Sequence, residues 1–126
     1  MNIKNTFKKF ILLNIGLFFL VFTSVFFESD EVIRFNESLD AIPTSLLIIS
    51  LIWIISYLVS LYFLYTFKKN GKKLFSILFV LGVVLNLPLG PSAVDSLMYT
   101  IDALSWCSQS AILVFLYFTP IKKFFN

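Results

Sequence analysis

The sequence predicts an all-α integral membrane protein, a four-helix bundle with both termini cytoplasmic and a short amphipathic segment in its first outer loop. Three observations predict it. The 126 residues are 59% hydrophobic, 18% aromatic and only 13% charged, with mean hydropathy +0.92, where a water-soluble domain is about 45–50% apolar and about 25% charged. The apolar residues collect into four runs, and at about twenty residues per crossing these use most of the chain. The basic residues lie between the runs in a pattern that four crossings sort to one face of the membrane. A single transmembrane domain over 1–126 follows.

The first run, about 10–27, is uncharged and follows Lys4, Lys8 and Lys9. At 1.5 Å per residue it reaches about 27 Å, close to the thickness of the hydrocarbon core. Phe22 and Phe27 occupy places where a signal-peptide cut needs small residues, so the run reads as a retained helix. The second, about 43–67, is long enough to cross with tilt, and Pro43 suits a first helical turn because its missing amide hydrogen is not needed there. The third, about 74–88, is the shortest. Pro88, Gly90 and Pro91 close it, and snorkelling by Lys72 and Lys73 extends its reach. The fourth runs about 97–119, and Ser92 with Asp95 ahead of it has the spacing of a capping box.

Charge gives the direction. Lys4, Lys8, Lys9, Lys68, Lys69, Lys72, Lys73, Lys122 and Lys123 fall on one side, which is nine of the ten basic residues. Arg34 and the acids Glu28, Asp30, Glu31, Glu37, Asp40 and Asp95 fall on the other. Basic loops stay cytoplasmic, which predicts a multi-pass protein of the bacterial inner membrane with N-in and C-in termini. In the first outer loop Val32, Phe35, Leu39 and Ile42 recur at helical spacing, so a short helix is expected to lie on the membrane surface or cap the bundle.

Several chemistries are excluded by inventory. There is no histidine, and the single cysteine, Cys107, has no partner thiol and reads as a small buried apolar residue. No Gly-rich phosphate loop, G-x-S-x-G, H-E-x-x-H or C-x-x-C is present. No enzyme activity, cofactor or metal is expected. The KKNGKK loop with Lys68, Lys69, Lys72 and Lys73 has the charge to hold anionic lipid headgroups, but topology already accounts for it, and nucleic acid is not an expected partner.

The polar residues inside the spans carry the functional question. Asp102 is the only carboxylate within a run, about 8 Å below the outer boundary. It reads as a residue of the first turns held by the helix dipole, as a proton- or cation-responsive site, or as a pair with Arg34. Thr23, Ser24, Asn86 and Tyr99 fall in the same layer, where they would line a shallow vestibule or join helices by hydrogen bonds. Asp95, Asp102, Ser105 or Trp106, and Gln109 follow one stripe of the fourth helix. Tyr57 on the second helix is placed at the depth of Gln109 and is expected to meet it. Ser56 and Ser60 allow a close helix approach. Asn14, one turn inside the first run, is expected to bond a neighbouring helix. The candidate polar membrane site is therefore Asp102, Asn86, Tyr99, Gln109 and Tyr57.

The stretch Asp102–Phe125, D-A-L-S-W-C-S-Q-S-A-I-L-V-F-L-Y-F-T-P-I-K-K-F-F, resembles the end of uncharacterised small four-span bacterial membrane proteins that close with a D-x-L-S helix and a Y-F-[ST]-P exit. The resemblance covers about a fifth of the chain and implies fold without activity. In size the chain is similar to the small multidrug resistance transporters, but Phe10–Phe27 lacks the embedded glutamate their first helix needs. The expected function is that of a non-enzymatic inner-membrane protein acting through helix–helix or protein–protein contacts, as an accessory subunit or immunity-type factor. Its partners would be the lipid bilayer and a membrane protein or a second copy of the chain. Two alternatives stand beside it: a small oligomeric transporter or channel using Asp102 in a polar route, and a lipid-binding or membrane-shaping protein using the basic loop.

Overall fold

The computed structural model describes residues 2–126. Five helices follow in order: α1 Ile3–Ser24, α2 Asp30–Glu37, α3 Thr44–Tyr65, α4 Lys69–Asn86 and α5 Ser96–Phe118. All except α2 are long and apolar enough to cross a membrane. Among the described residues there is no strand.

The helix ends depart from the apolar runs in an instructive way. α1 begins at Ile3, seven residues before the run does, because the Asn2 side chain accepts from the Lys4 amide at 3.1 Å and caps the first turn. Lys4, Lys8 and Lys9 are therefore helical, and Asn14 moves from one turn inside the helix to its middle. α4 also starts early, at Lys69, and continues through a tight turn at Leu87–Leu89, so the third span extends over 21 residues rather than the short segment its hydropathy suggested. Lysines lengthen both helices because their stems lie along apolar surface while their charged ends stay in water. Pro43 immediately precedes α3 instead of entering its first turn.

α1 packs closely on α5 and α3 on α4, and the two antiparallel pairs meet through lighter α1–α3 and α4–α5 contacts. Glycine sets the α3–α4 distance. A Cβ on Gly71 would come within 2.9 Å of the Phe63 backbone carbon, and one on Gly82 within 2.8 Å of the Trp53 ring. With Gly82 bare, the indole lies against α4 and its Nε1 donates to the Leu78 carbonyl at 2.8 Å.

One end of the bundle holds nine lysines and is filled by apolar side chains. Phe7, Ile11, Leu61, Leu64, Phe75, Ile112 and Leu116 are fully buried there. After α5 the chain turns at Thr119, whose hydroxyl accepts from the Ile121 amide at 3.3 Å. The tight turn Pro120–Phe125 then brings Ile121 and Phe125 into that core. Phe67 closes the same end. It is the one non-glycine residue with a left-handed backbone among those described, φ 54°. It follows the α3 terminus in a Schellman arrangement, with the Lys68 amide bonded to the Phe63 carbonyl at 2.8 Å and the Phe67 amide to Leu64 at 3.1 Å. Glycine would take this conformation without strain. Phenylalanine is held there by rings of Phe7 at 6.0 Å, Phe125 at 5.4 Å and Phe124 at 5.8 Å.

At the other end α2 is tied to the α4–α5 connection. The Ser29 amide and hydroxyl both donate to the Asp95 carboxylate, at 2.7 and 3.0 Å. The Asn36 carboxamide bonds both backbone groups of Ala93, at 3.1 and 2.9 Å. The expected Ser92–Asp95 capping box does not form. Asp95 is itself the cap residue of α5, and its carboxylate is spent on Ser29. Val32, Asn36 and Leu39 make the half-buried face of this segment, while Phe35 and Ile42 stay exposed.

Candidate polar site within the bundle

α5 supplies the polar stripe expected of it except for Asp95, which is held by Ser29 and does not line the cavity. Asp102, Ser105, Trp106 and Gln109 all line one cavity of about 260 Å³ in the acidic half of the bundle. α4 adds Asn86 and the bare Gly82, and α3 adds Ser50 and Trp53. α1 closes the cavity with Phe18 and Phe22. The cavity is partly open: Asp102 and Asn86 are exposed at its wall while Gln109 is 5% exposed. Asp102 lies six residues into α5, about 9 Å from its start, and Gln109 about 10 Å deeper.

Three of the five candidates, Asp102, Asn86 and Gln109, are thus brought to one space. Tyr99 is not. It sits a turn nearer the helix start and about 60° around the axis from Asp102, and its ring is 67% exposed. Thr23 and Ser24 also stay out, because their hydroxyls bond back to the Leu20 and Val21 carbonyls of their own helix at 3.0 and 2.7 Å. Ser56 and Ser60 do the same on α3, with Ile52 and Tyr57.

The expected Tyr57–Gln109 contact gives way to a different one. Tyr57 is fully buried and its hydroxyl donates to Asn14 Oδ1. Asn14 Nδ2 in turn donates to Ser108 Oγ at 3.0 Å, with the Ser105 carbonyl at 3.5 Å. α1, α3 and α5 are therefore joined through one carboxamide. Asn14 bonds a neighbouring helix as expected, but because α1 starts at Ile3 it lies at mid-helix and joins two neighbours, which its place one turn inside the apolar run does not reveal. Gln109, adjacent to Ser108 in sequence, points to another face of α5, and its Oε1 is buried with no hydrogen-bond partner.

Aromatic rings separate the cavity from the packed half. Tyr57 stacks on Trp53 at 5.0 Å and 11°, and contacts Phe18 at 5.4 Å and Phe75 at 5.9 Å. Beyond this layer the interior consists of the buried Phe, Leu and Ile side chains already described.

The basic loop is drawn onto the bundle's own aromatics. Lys68 Nζ lies 5.0 Å from the Phe63 ring and Lys72 Nζ 4.1 Å from Tyr117, while Lys69 and Lys73 are exposed. Lys4 and Lys8 make equivalent contacts to Phe124 and Tyr65, at 3.8 and 4.6 Å. Cys107 is exposed, not buried as expected, since it faces away from α3 and α4 beside Leu104 and Ala111.

Compared with known protein families, characterised proteins and solved structures, the chain matches none of them.

Proposed function

We propose that the chain is a non-enzymatic bacterial inner-membrane protein, N-in and C-in, that acts through helix–helix or protein–protein contacts as an accessory subunit or immunity-type factor. The observation that carries this reading is the filled lysine-rich half beyond the Tyr57 layer, where Phe7, Ile11, Leu61, Leu64, Phe75, Ile112 and Leu116 are fully buried against one another. The central polar groups also support it, because Asn14, Tyr57 and Ser108 are engaged with one another. Such bonds specify packing in membrane bundles, at about 0.6 kcal/mol each on average. The nine lysines at one end support the orientation.

A second reading, an oligomeric transporter using Asp102, draws on the cavity that Asp102 shares with Asn86 and Gln109. Reconstitution decides between the two. Proteoliposomes bearing the native chain and Asp102→Asn are compared for pH- and cation-driven flux. Equal absence of flux supports the contact reading, and flux lost only on substitution replaces it with the transporter. A photo-crosslinking residue at Val80 or Val84, both exposed on α4, should yield a discrete adduct in cells under the contact reading and only lipid adducts if the chain acts alone.

A further inference from the structure

The lysine-rich end presents its charge in two arrangements. Lys9 and Lys123 are exposed, while Lys4 and Lys8 are half-buried. These two converge on a single ring: each Nζ lies 5.7 Å from the Phe67 centroid, with the Phe124 ring 3.8 Å from Lys4 and the Tyr65 ring 4.6 Å from Lys8. The convergence is built by α1, by the end of α3 with the turn that follows it, and by the C-terminal turn Pro120–Phe125. Topology asks for the charge but not for two ammoniums on one ring. Like charges four residues apart on a helix repel, and none of the chain's seven Asp and Glu residues lies in those three elements to relieve them. The aromatic faces attract both cations and leave them without a counter-ion.

The same face of α1 turns apolar immediately beyond the lysines. Leu12, Ile15 and Phe19 continue the row of Lys4 and Lys8, and Leu12 and Phe19 are 54% and 55% exposed. From Lys8 to Phe19 is about 16 Å along the axis, roughly the hydrocarbon depth of one leaflet. We infer that Lys4 and Lys8 bind the phosphate of one phospholipid of net negative charge, in the leaflet at the lysine end, with an acyl chain lying along Leu12, Ile15 and Phe19. A phosphodiester accepts from both ammoniums at once, and it sits at the headgroup depth to which lysine side chains reach. Net negative charge matches a cationic pair with no acid beside it, whereas a zwitterionic headgroup brings an ammonium of its own. The site is separate from the KKNGKK loop, whose Lys68 and Lys72 rest on other rings, Phe63 and Tyr117. Binding here is independent of whether the bundle also has a protein partner.

Native mass spectrometry of the purified full chain counts bound lipids. The protein in detergent is titrated with phosphatidylglycerol, with phosphatidylethanolamine of the same acyl chains, and with glycerophosphoglycerol, the anionic headgroup without chains. One phosphatidylglycerol is expected to bind at least about tenfold more tightly than phosphatidylethanolamine, the order set by two lysines at an anionic headgroup, and an equal concentration of glycerophosphoglycerol should not displace it. Lys4→Gln with Lys8→Gln should bring the two lipids to equal affinity, whereas Lys9→Gln with Lys123→Gln, which removes the same charge, should keep the preference. Lys4→Arg with Lys8→Arg should keep it as well, and this pair decides the matter if the first glutamine pair fails to fold, which emission from Trp53 and Trp106 in the other half reports. No preference in the native chain, equal loss in both glutamine pairs, or loss in the arginine pair overturns the inference. Displacement by glycerophosphoglycerol would assign the two lysines to a soluble phosphate and overturn the lipid site.

Discussion

Tyr57 of α3 and Asn14 of α1 share a buried hydrogen bond at the centre of the bundle, and Asn14 carries the connection on to Ser108 of α5. Both side chains are fully buried, so each would be left unsatisfied in an apolar medium without the other. The α1–α5 and α3–α4 pairs meet lightly elsewhere, which makes this bond a principal determinant of how the pairs are rotated against each other.

Removing the shared carboxamide strands two hydroxyls. Asn14→Leu is expected to lower stability by about 1–3 kcal/mol, the cost of leaving buried polar groups unpaired. In the double variant with Tyr57→Phe the two losses should not add, because one substitution already removes the partner of the other. Denaturant unfolding in mixed micelles measures both.

Gly82→Ala places a methyl 2.8 Å from the Trp53 ring, and the indole must move away from the Leu78 carbonyl. A loss of about 1–3 kcal/mol is expected from the overpacking, with a shift in tryptophan emission as Nε1 loses its acceptor. Gly71→Ala meets backbone at 2.9 Å instead of a ring. It should be at least as costly, but leave the emission unchanged.

The α2 tether should come apart without the bundle. Asp95→Ala removes both acceptors of Ser29, and Asn36→Ala removes the bonds to Ala93. Faster amide exchange and proteolysis are expected over 29–37, with little change at α1 or α5, since such exposed local segments open independently of the core. Equal loss of protection throughout would show that α2 is integral to the bundle.

Reporter fusions after Asn126 and at the N-terminus should respond from the same compartment, and an insertion at Glu37 from the opposite one. Opposed responses from the two ends would remove the N-in, C-in arrangement.

Exposed Cys107 is expected to tolerate Cys107→Ala within about 0.5 kcal/mol, as surface positions do. A loss of several times that, by the same unfolding measurement, would place a partner on this face.

Four spans were legible because hydropathy summed over about twenty residues is insensitive to detail. The shared stripe of Asp102, Ser105, Trp106 and Gln109 was legible because one helix fixes its own angular spacing. Helix starts were less so. Lys4 and Lys69 read as loop from their charge, yet both lie in helices, because lysine breaks hydropathy without breaking helical hydrogen bonding. The Asp95 capping box failed for a related reason: a carboxylate free to cap its own helix is equally free to hold Ser29, sixty-six residues away in the chain.

By itself the sequence determined the number of helices long and apolar enough to cross a membrane, the segregation of lysine from acid and the polar face of α5. These follow from how each segment exchanges water for hydrocarbon, a property carried locally. Only the tertiary structure decided that Tyr57 meets Asn14 and not Gln109, that Tyr99 turns outward, and that a cavity opens beneath Asp102. Those outcomes depend on how each helix is turned about its axis, and the turning is set by close approaches such as Gly82 against Trp53, where two elements must be present before either has a preferred angle.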